Sequence, residues 1–219
     1  MIQTRKKLRT GLLLLLVFVL FTAACRTVDV RPIGPEQSCV GFAALNQFVF
    51  SLTGVNLLWY TITDWLGVLA ILTALGFAVL GLYQLIRRRS LLRVDRRILL
   101  LGVFYAVVIA AYVFFETVII NYRPVILHTG LEASYPSSHT MIVICIMATA
   151  MMQFPHLLER HRGLLRLTQT VSALLIGITV IGRLISGVHW FTDIVGGILL
   201  SASLVMLYAS AADWAEQTE

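Results

Sequence analysis

Six long apolar runs constrain this chain more than any other feature. They span residues 8–24, 67–86, 98–120, 138–154, 164–185 and 191–212. A helix of roughly 20 residues crosses a hydrocarbon core about 30 Å thick, and most of the runs have that length. Inside lipid a backbone must satisfy its own hydrogen bonds. Runs of this length without polar–apolar alternation therefore predict helices and not strands. Composition agrees, because 58% of the 219 residues are hydrophobic and 13% are charged, with a mean hydropathy of +0.87. An ordinary soluble domain is far more polar. The expected fold class is an all-α integral membrane protein with about six transmembrane helices, or five if the N-terminal segment is cleaved.

The basic residues orient this bundle. Arg5, Lys6, Lys7 and Arg9 form one cluster, Arg87, Arg88, Arg89, Arg93, Arg96 and Arg97 a second, and Arg160, Arg162 and Arg166 a third. These thirteen of the 17 lysines and arginines fall on one side of a six-span topology, and the positive-inside rule makes that side cytoplasmic. Arg26, Arg31, Arg123 and Arg183 face outward. The excess of basic residues is thus a topology signal, and no nucleic-acid partner is expected from it.

Residues 1–26 read as a transmembrane anchor or a signal-like segment, since a basic start and an apolar middle end in small residues before Cys25. The segment resembles a bacterial lipoprotein signal with Cys25 as the lipidated residue, although Thr22 stands where such signals usually carry leucine. Residues 27–66 are expected outside or at the interface, with a turn at Pro32, Gly34 and Pro35 and an apolar stretch broken by Asn46 and Gln47. Cys39 lies in this segment and could pair with Cys25 in an oxidising compartment. Residues 67–212 form the transmembrane core, and 213–219 a short cytoplasmic tail.

Topology gathers the informative polar residues on the outer face, in three places. "NYRPVI" carries Arg123 and Pro124, "YPSSH" precedes the fourth run, and "GRLISGVHWFTD" joins the fifth to the sixth. In the last, Arg183, His189 and Asp193 have the spacing R-x5-H-x3-D. If a helix begins near His189, Asp193 lies one turn on, where a carboxylate can hold one imidazole N–H and free the other nitrogen. Pro136 presets a helix start, so the N–H groups of Ser137, Ser138 and His139 are expected to face an oxyanion. Arg123 and Arg183 supply guanidinium forks matched to phosphate. Singly, each has a structural explanation: arginines snorkel, serines cap helices and His–Asp pairs brace them. Ionisable groups are expensive in a membrane, however, and their convergence on one face points to a functional site.

These three motifs resemble the signature of the type-2 phosphatidate phosphatase family, membrane lipid phosphatases that share a helical core with vanadium haloperoxidases. The resemblance covers roughly residues 98–212. It implies a helical-bundle phosphatase core at the cell membrane, with the active site on the extracytoplasmic side and a lipid monophosphate or diphosphate as substrate. It further implies His189 as a nucleophile forming a phosphohistidine, Asp193 as its orienter and His139 as the acid for the leaving oxygen. Arg123, Ser137, Ser138 and Arg183 would bind phosphate oxygens. A phosphotransferase using the same intermediate, or a degenerate lipid-phosphate-binding protein, remains an alternative.

The sequence departs from the family pattern at two positions. Glu116 stands seven residues before Arg123, where family members commonly carry lysine, and an acid there is expected to pair with Arg123 instead. Ser138 replaces a usual glycine, keeping the N–H. No cofactor or metal is expected, because the outward acids Asp29, Glu36, Asp64, Glu116, Glu132 and Asp193 are mostly scattered. His128 is expected at the rim, and His156 and His161 on the cytoplasmic side.

Overall fold

The computed structural model describes residues 2–217. Seven α-helices follow one another: α1 (Ile2–Thr27), α2 (Ala43–Thr53), α3 (Leu57–Arg88), α4 (Arg96–Thr117), α5 (Ser138–Leu157), α6 (Arg162–Ile185) and α7 (Phe191–Gln217). All except α2 are long and apolar enough to cross a membrane, so the expected all-α, multi-pass architecture is borne out. No named strand occurs among the described residues.

Local chemistry explains where the helices depart from the apolar runs. α3 starts ten residues before the expected span, because the Asn56 side chain accepts a hydrogen bond from Trp59 N–H at 3.2 Å. That cap satisfies one of the orphan donors at a helix start. Asp64 therefore lies on α3 and not in the preceding segment. Asp95 caps α4 in the same way, accepting from Arg97 N–H at 2.9 Å. α7 continues through Gln217, so residues 213–217 of the expected tail extend the last helix. Residues 218–219 of that tail lie outside the described residues.

α5 and α7 form the centre of the bundle: half of their most apolar window is buried, against 17–22% in the other spans. α1 runs antiparallel along α7. Ser203 Oγ donates to the Gly11 carbonyl at 2.9 Å, Ser210 Oγ to Thr4 O at 3.0 Å, and Lys7 pairs with Asp213 at 2.8 Å. These contacts make α1 a packed member of the bundle. Cys25 is buried within it, Cys39 is exposed, and both are free thiols, so the pairing left open by the sequence is not formed. Arg97 meets Glu216 at 3.1 Å, which brings the first two basic clusters to the end of the bundle where α7 terminates.

The opposite end is built by connections. α2, apolar apart from Asn46, Gln47, Ser51 and Thr53, is tied to the start of α7 through Asn46, which is fully buried. Asn46 Nδ2 donates to Gly41 O at 2.8 Å and Thr192 Oγ1 at 3.0 Å, and its Oδ1 accepts from Thr192 N–H at 3.1 Å. The polar interruption in an apolar segment is thus a brace. Gly187 fixes the neighbouring turn: it has a φ of +65°, and a Cβ there would sit 1.8 Å from the Gly54 carbonyl oxygen. Only glycine accommodates both the left-handed backbone and so close an approach. His189 follows two residues later, on a turn pressed against the link between α2 and α3.

Candidate active site

His189 is buried between α6 and α7, and its ring is held by a relay. Ser134 Oγ donates to Asp193 Oδ2 at 2.5 Å and lies 3.0 Å from His189 Nδ1. Asp193 also accepts from Trp190 N–H at 2.9 Å and Asn121 Nδ2 at 3.1 Å. A carboxylate only accepts, so the Ser134 proton points at Asp193 and the Ser134 lone pairs face His189. Nδ1 must then carry the ring proton, which leaves the Nε2 lone pair bare. His189 Nε2 is buried and has no protein hydrogen-bond partner.

This arrangement corrects one detail of the i,i+4 expectation. Asp193 Oδ2 stands 3.8 Å from Nδ1, beyond direct hydrogen bonding. The carboxylate turns instead to the Trp190 N–H at the start of its own helix, and the Ser134 hydroxyl spans the gap. Asp193 still sets the tautomer, but through Ser134. Ser134 reaches it from the link between α4 and α5, where Ser134 N–H bonds to Asn121 O at 2.9 Å and Arg123 N–H to Glu132 O at 3.0 Å. Thr22 of α1 supports the same link through a 2.7 Å hydrogen bond to Tyr135.

The two arginines converge on His189 from different elements. Arg183, on the last turn of α6, is completely buried, with Nη2 on Asp64 Oδ1 and its guanidinium carbon 5.0 Å from the Tyr60 ring centroid. Arg123 Nε lies 3.0 Å from Glu132 Oε2, out of line for a hydrogen bond. The expected pairing of Arg123 with Glu116 is therefore corrected. Glu132, brought opposite by the α4–α5 link, takes that place, and it also meets His128 Nδ1 at 2.7 Å on the rim. Glu116 lines a small pocket beside Ser134, Tyr135 and Ser138.

His139 sits on the first turn of α5, with Nε2 3.1 Å from Asp64 Oδ1 and Nδ1 buried without a partner. Gly67 clears the space on that side, since a Cβ there would come within 3.0 Å of His139 Cδ2. His139, His189, Arg123 and Arg183 all lie within electrostatic range of one another. Ser137 behaves differently from expectation. Its N–H bonds to the Asp193 carbonyl at 2.9 Å and its side chain caps Thr140 N–H, so it joins α5 to α7 and does not present its N–H to an anion. Ser138 and His139 open the helix, and their N–H groups lack intrahelical acceptors.

Sequence reasoning missed Ser134, Asn121 as a ligand of Asp193, and Asp64. Nothing in the spacing of motifs singles out Ser134. Asp64 carried a usable signal, because an acid at the head of an apolar helix requires a partner.

Comparisons with known proteins bear on the family and the fold. A sequence model of the PAP2 superfamily matches residues 114–216, the part of the chain that holds all three motifs. The resemblance read from the motifs is borne out by that match. The fold is similar to the crystal structure of a transmembrane PAP2-type phosphatidylglycerolphosphate phosphatase from Bacillus subtilis. The TM-score is 0.60 at 20% identity, over 95% of this chain and 97% of that one. No curated protein sequence gives a significant match. Asp64 lies outside the matched region.

Burial holds the His189 imidazole well below the ordinary histidine pKa, and the nearby Arg123 and Arg183 charges push the same way. The unfolded chain takes up a proton near pH 6.5 that the folded chain refuses, so this residue's contribution is present above about pH 6.5 and lost as pH falls below it. Thermal unfolding in detergent at pH 7.5, 6.5 and 5.5 is expected to show a midpoint that drops with acidification. The drop should be smaller in His189→Asn, which has no proton to refuse.

Proposed function

We propose that this chain is a membrane lipid phosphatase that removes the terminal phosphate of a lipid monophosphate or diphosphate through a phosphohistidine on His189. One observation carries the reading. Among the described residues, six of the ten buried side-chain polar atoms without a hydrogen-bond partner belong to Arg123, Arg183, His139 and His189. Native interiors rarely leave such atoms unpaired, and arginine donors flanking a bare imidazole nitrogen match a phosphoryl group with its attacking nucleophile. The similarity to a phosphatidylglycerolphosphate phosphatase supports a lipid substrate.

The chemistry follows from the residues. The Nε2 lone pair of His189 attacks phosphorus, the bond from phosphorus to the lipid oxygen breaks, and His139 gives that oxygen its proton. Arg123 and Arg183 stabilise charge on the remaining phosphoryl oxygens. Water then attacks the phosphohistidine, the P–N bond breaks, and His139 takes back a proton. Ser134 and Asp193 stabilise the positive imidazole of the intermediate. The cationic side chains do the work that a two-metal phosphatase assigns to its ions, so the reaction is metal-independent.

A lipid alkoxide leaves poorly without a proton, whereas nitrophenolate leaves readily. General acid catalysis is worth about 10²–10⁴-fold. His139→Ala should lose much of that on a lipid monoester and far less on p-nitrophenyl phosphate, while His189→Ala should be inactive on both. Equal losses in His139→Ala on the two substrates would remove its assignment as the acid.

The same reading places the site on the extracytoplasmic side of the cell membrane, motivated by the basic clusters at the opposite end. In a background without Cys39, single cysteines introduced at His128 or Thr129, both exposed on the α4–α5 link, should react with an impermeant thiol reagent from outside, and cysteines near Arg89 and Arg162 should not. The reverse pattern would overturn the orientation.

A further inference from the structure

Asp64 is an ionisable side chain on a membrane-spanning helix, 36% exposed, and it touches two residues of the proposed site at once. Its Oδ1 meets Arg183 Nη2, and the same oxygen lies 3.1 Å from His139 Nε2, at ion-pair distance but out of line for a hydrogen bond. The Cδ2–Nε2 edge of the His139 ring lies against α3, flanked by Asp64 and Gly67. The Nδ1 edge consequently points away from α3, and Nδ1 is the atom left without a partner.

The two histidines share one feature, a carboxylate at one edge of the ring and a buried, unpaired nitrogen at the other, although only His189 is hydrogen-bonded into its relay. Each turns one ring nitrogen toward a carboxylate and keeps the other buried and unpaired. For His189 the chain is Nδ1, Ser134, Asp193, with Nε2 bare. For His139 it is Nε2 to Asp64, with Nδ1 unpaired. A histidine that delivers a proton from one nitrogen works best as an imidazolium whose second N–H is held by an anion. Asp64 is placed to be that anion, while also answering the charge of Arg183.

We propose that Asp64 is the positioning residue of the acid. Its carboxylate lies against the Nε2 edge of His139 so that Nδ1 faces the leaving lipid oxygen, and its charge stabilises the imidazolium that donates the proton. No bond to Asp64 is made or broken during turnover: the proton on Nδ1 passes to the leaving oxygen, and the proton on Nε2 stays on the ring. The proposal rests on the phosphatase reading above and extends it to α3, a helix that the superfamily match does not include. The charged groups around His139 are Asp64 from α3, Arg183 from α6 and Arg123 from the α4–α5 link, with His189 close by.

The test compares full-length Asp64→Asn, His139→Ala and the double variant, reading kcat and KM on a lipid monoester and on p-nitrophenyl phosphate. Losing the carboxylate beside Arg183 acts on phosphate binding, so it changes KM for both substrates together. Losing the partner of His139 acts on leaving-group protonation. Asp64→Asn is therefore expected to lower kcat on the lipid about 10- to 100-fold more than on p-nitrophenyl phosphate, a fraction of the full general-acid effect. In the His139→Ala background it should add no further lipid-selective loss, because the two act as a unit. Asp64→Glu should recover part of the selective loss. A substrate-selective His139→Ala paired with a non-selective Asp64→Asn would overturn the role given to Asp64 and leave the phosphatase reading standing. A non-selective His139→Ala would overturn the acid assignment and this proposal with it.

Discussion

The short contact between Ser134 and Asp193 is the interaction on which the rest of the site depends. A carboxylate buried among apolar helices is tolerable only when its lone pairs are satisfied. Ser134, Asn121 and the Trp190 N–H supply three donors. Two of these donors belong to the α4–α5 link and one to the turn before α7. Satisfying Asp193 therefore docks the link onto the bundle and, in the same step, sets the tautomer of His189. Structure and chemistry rest on one carboxylate.

The surrounding fold keeps that geometry rigid. α5 and α7, the two most buried spans, carry His139 and Asp193 on their first turns. The Ser137 N–H bond to the Asp193 carbonyl locks one helix start to the other. Asn46 braces Thr192 from the α2 side, and Gly187 permits the close turn that delivers His189. The arginines come from separate elements, so their mutual repulsion is balanced by Asp64 and Glu132 at the rim. A phosphate dianion offers the same two guanidinium groups a denser charge than either carboxylate.

Much of this was legible in the sequence, for identifiable reasons. Uninterrupted apolar runs reported the six spans, because lipid forces helices of nearly fixed length. Arg183, His189 and Asp193 were legible because their spacing crosses one helix start, where local geometry is nearly determined. His139 was legible for the same reason, next to Pro136. Ser134 was not, since its role depends on how a long link folds back over α7. Asp64 was hidden by the true start of α3, which Asn56 sets ten residues before the apolar run. Ser137 was misjudged because its N–H found a carbonyl on a neighbouring helix, a contact that no local pattern reports.

The central claim is that Asp193, acting through Ser134, leaves Nε2 of His189 as the nucleophile. Rapid acid-free quenching of the enzyme during turnover of a phosphorus-labelled lipid, followed by peptide mapping and phosphorus NMR, tests it most directly. The phosphoryl group is expected on His189 and on its Nε2. Phosphate on Nδ1, on another residue, or on no residue at any quench time would contradict the relay and the phosphohistidine route together.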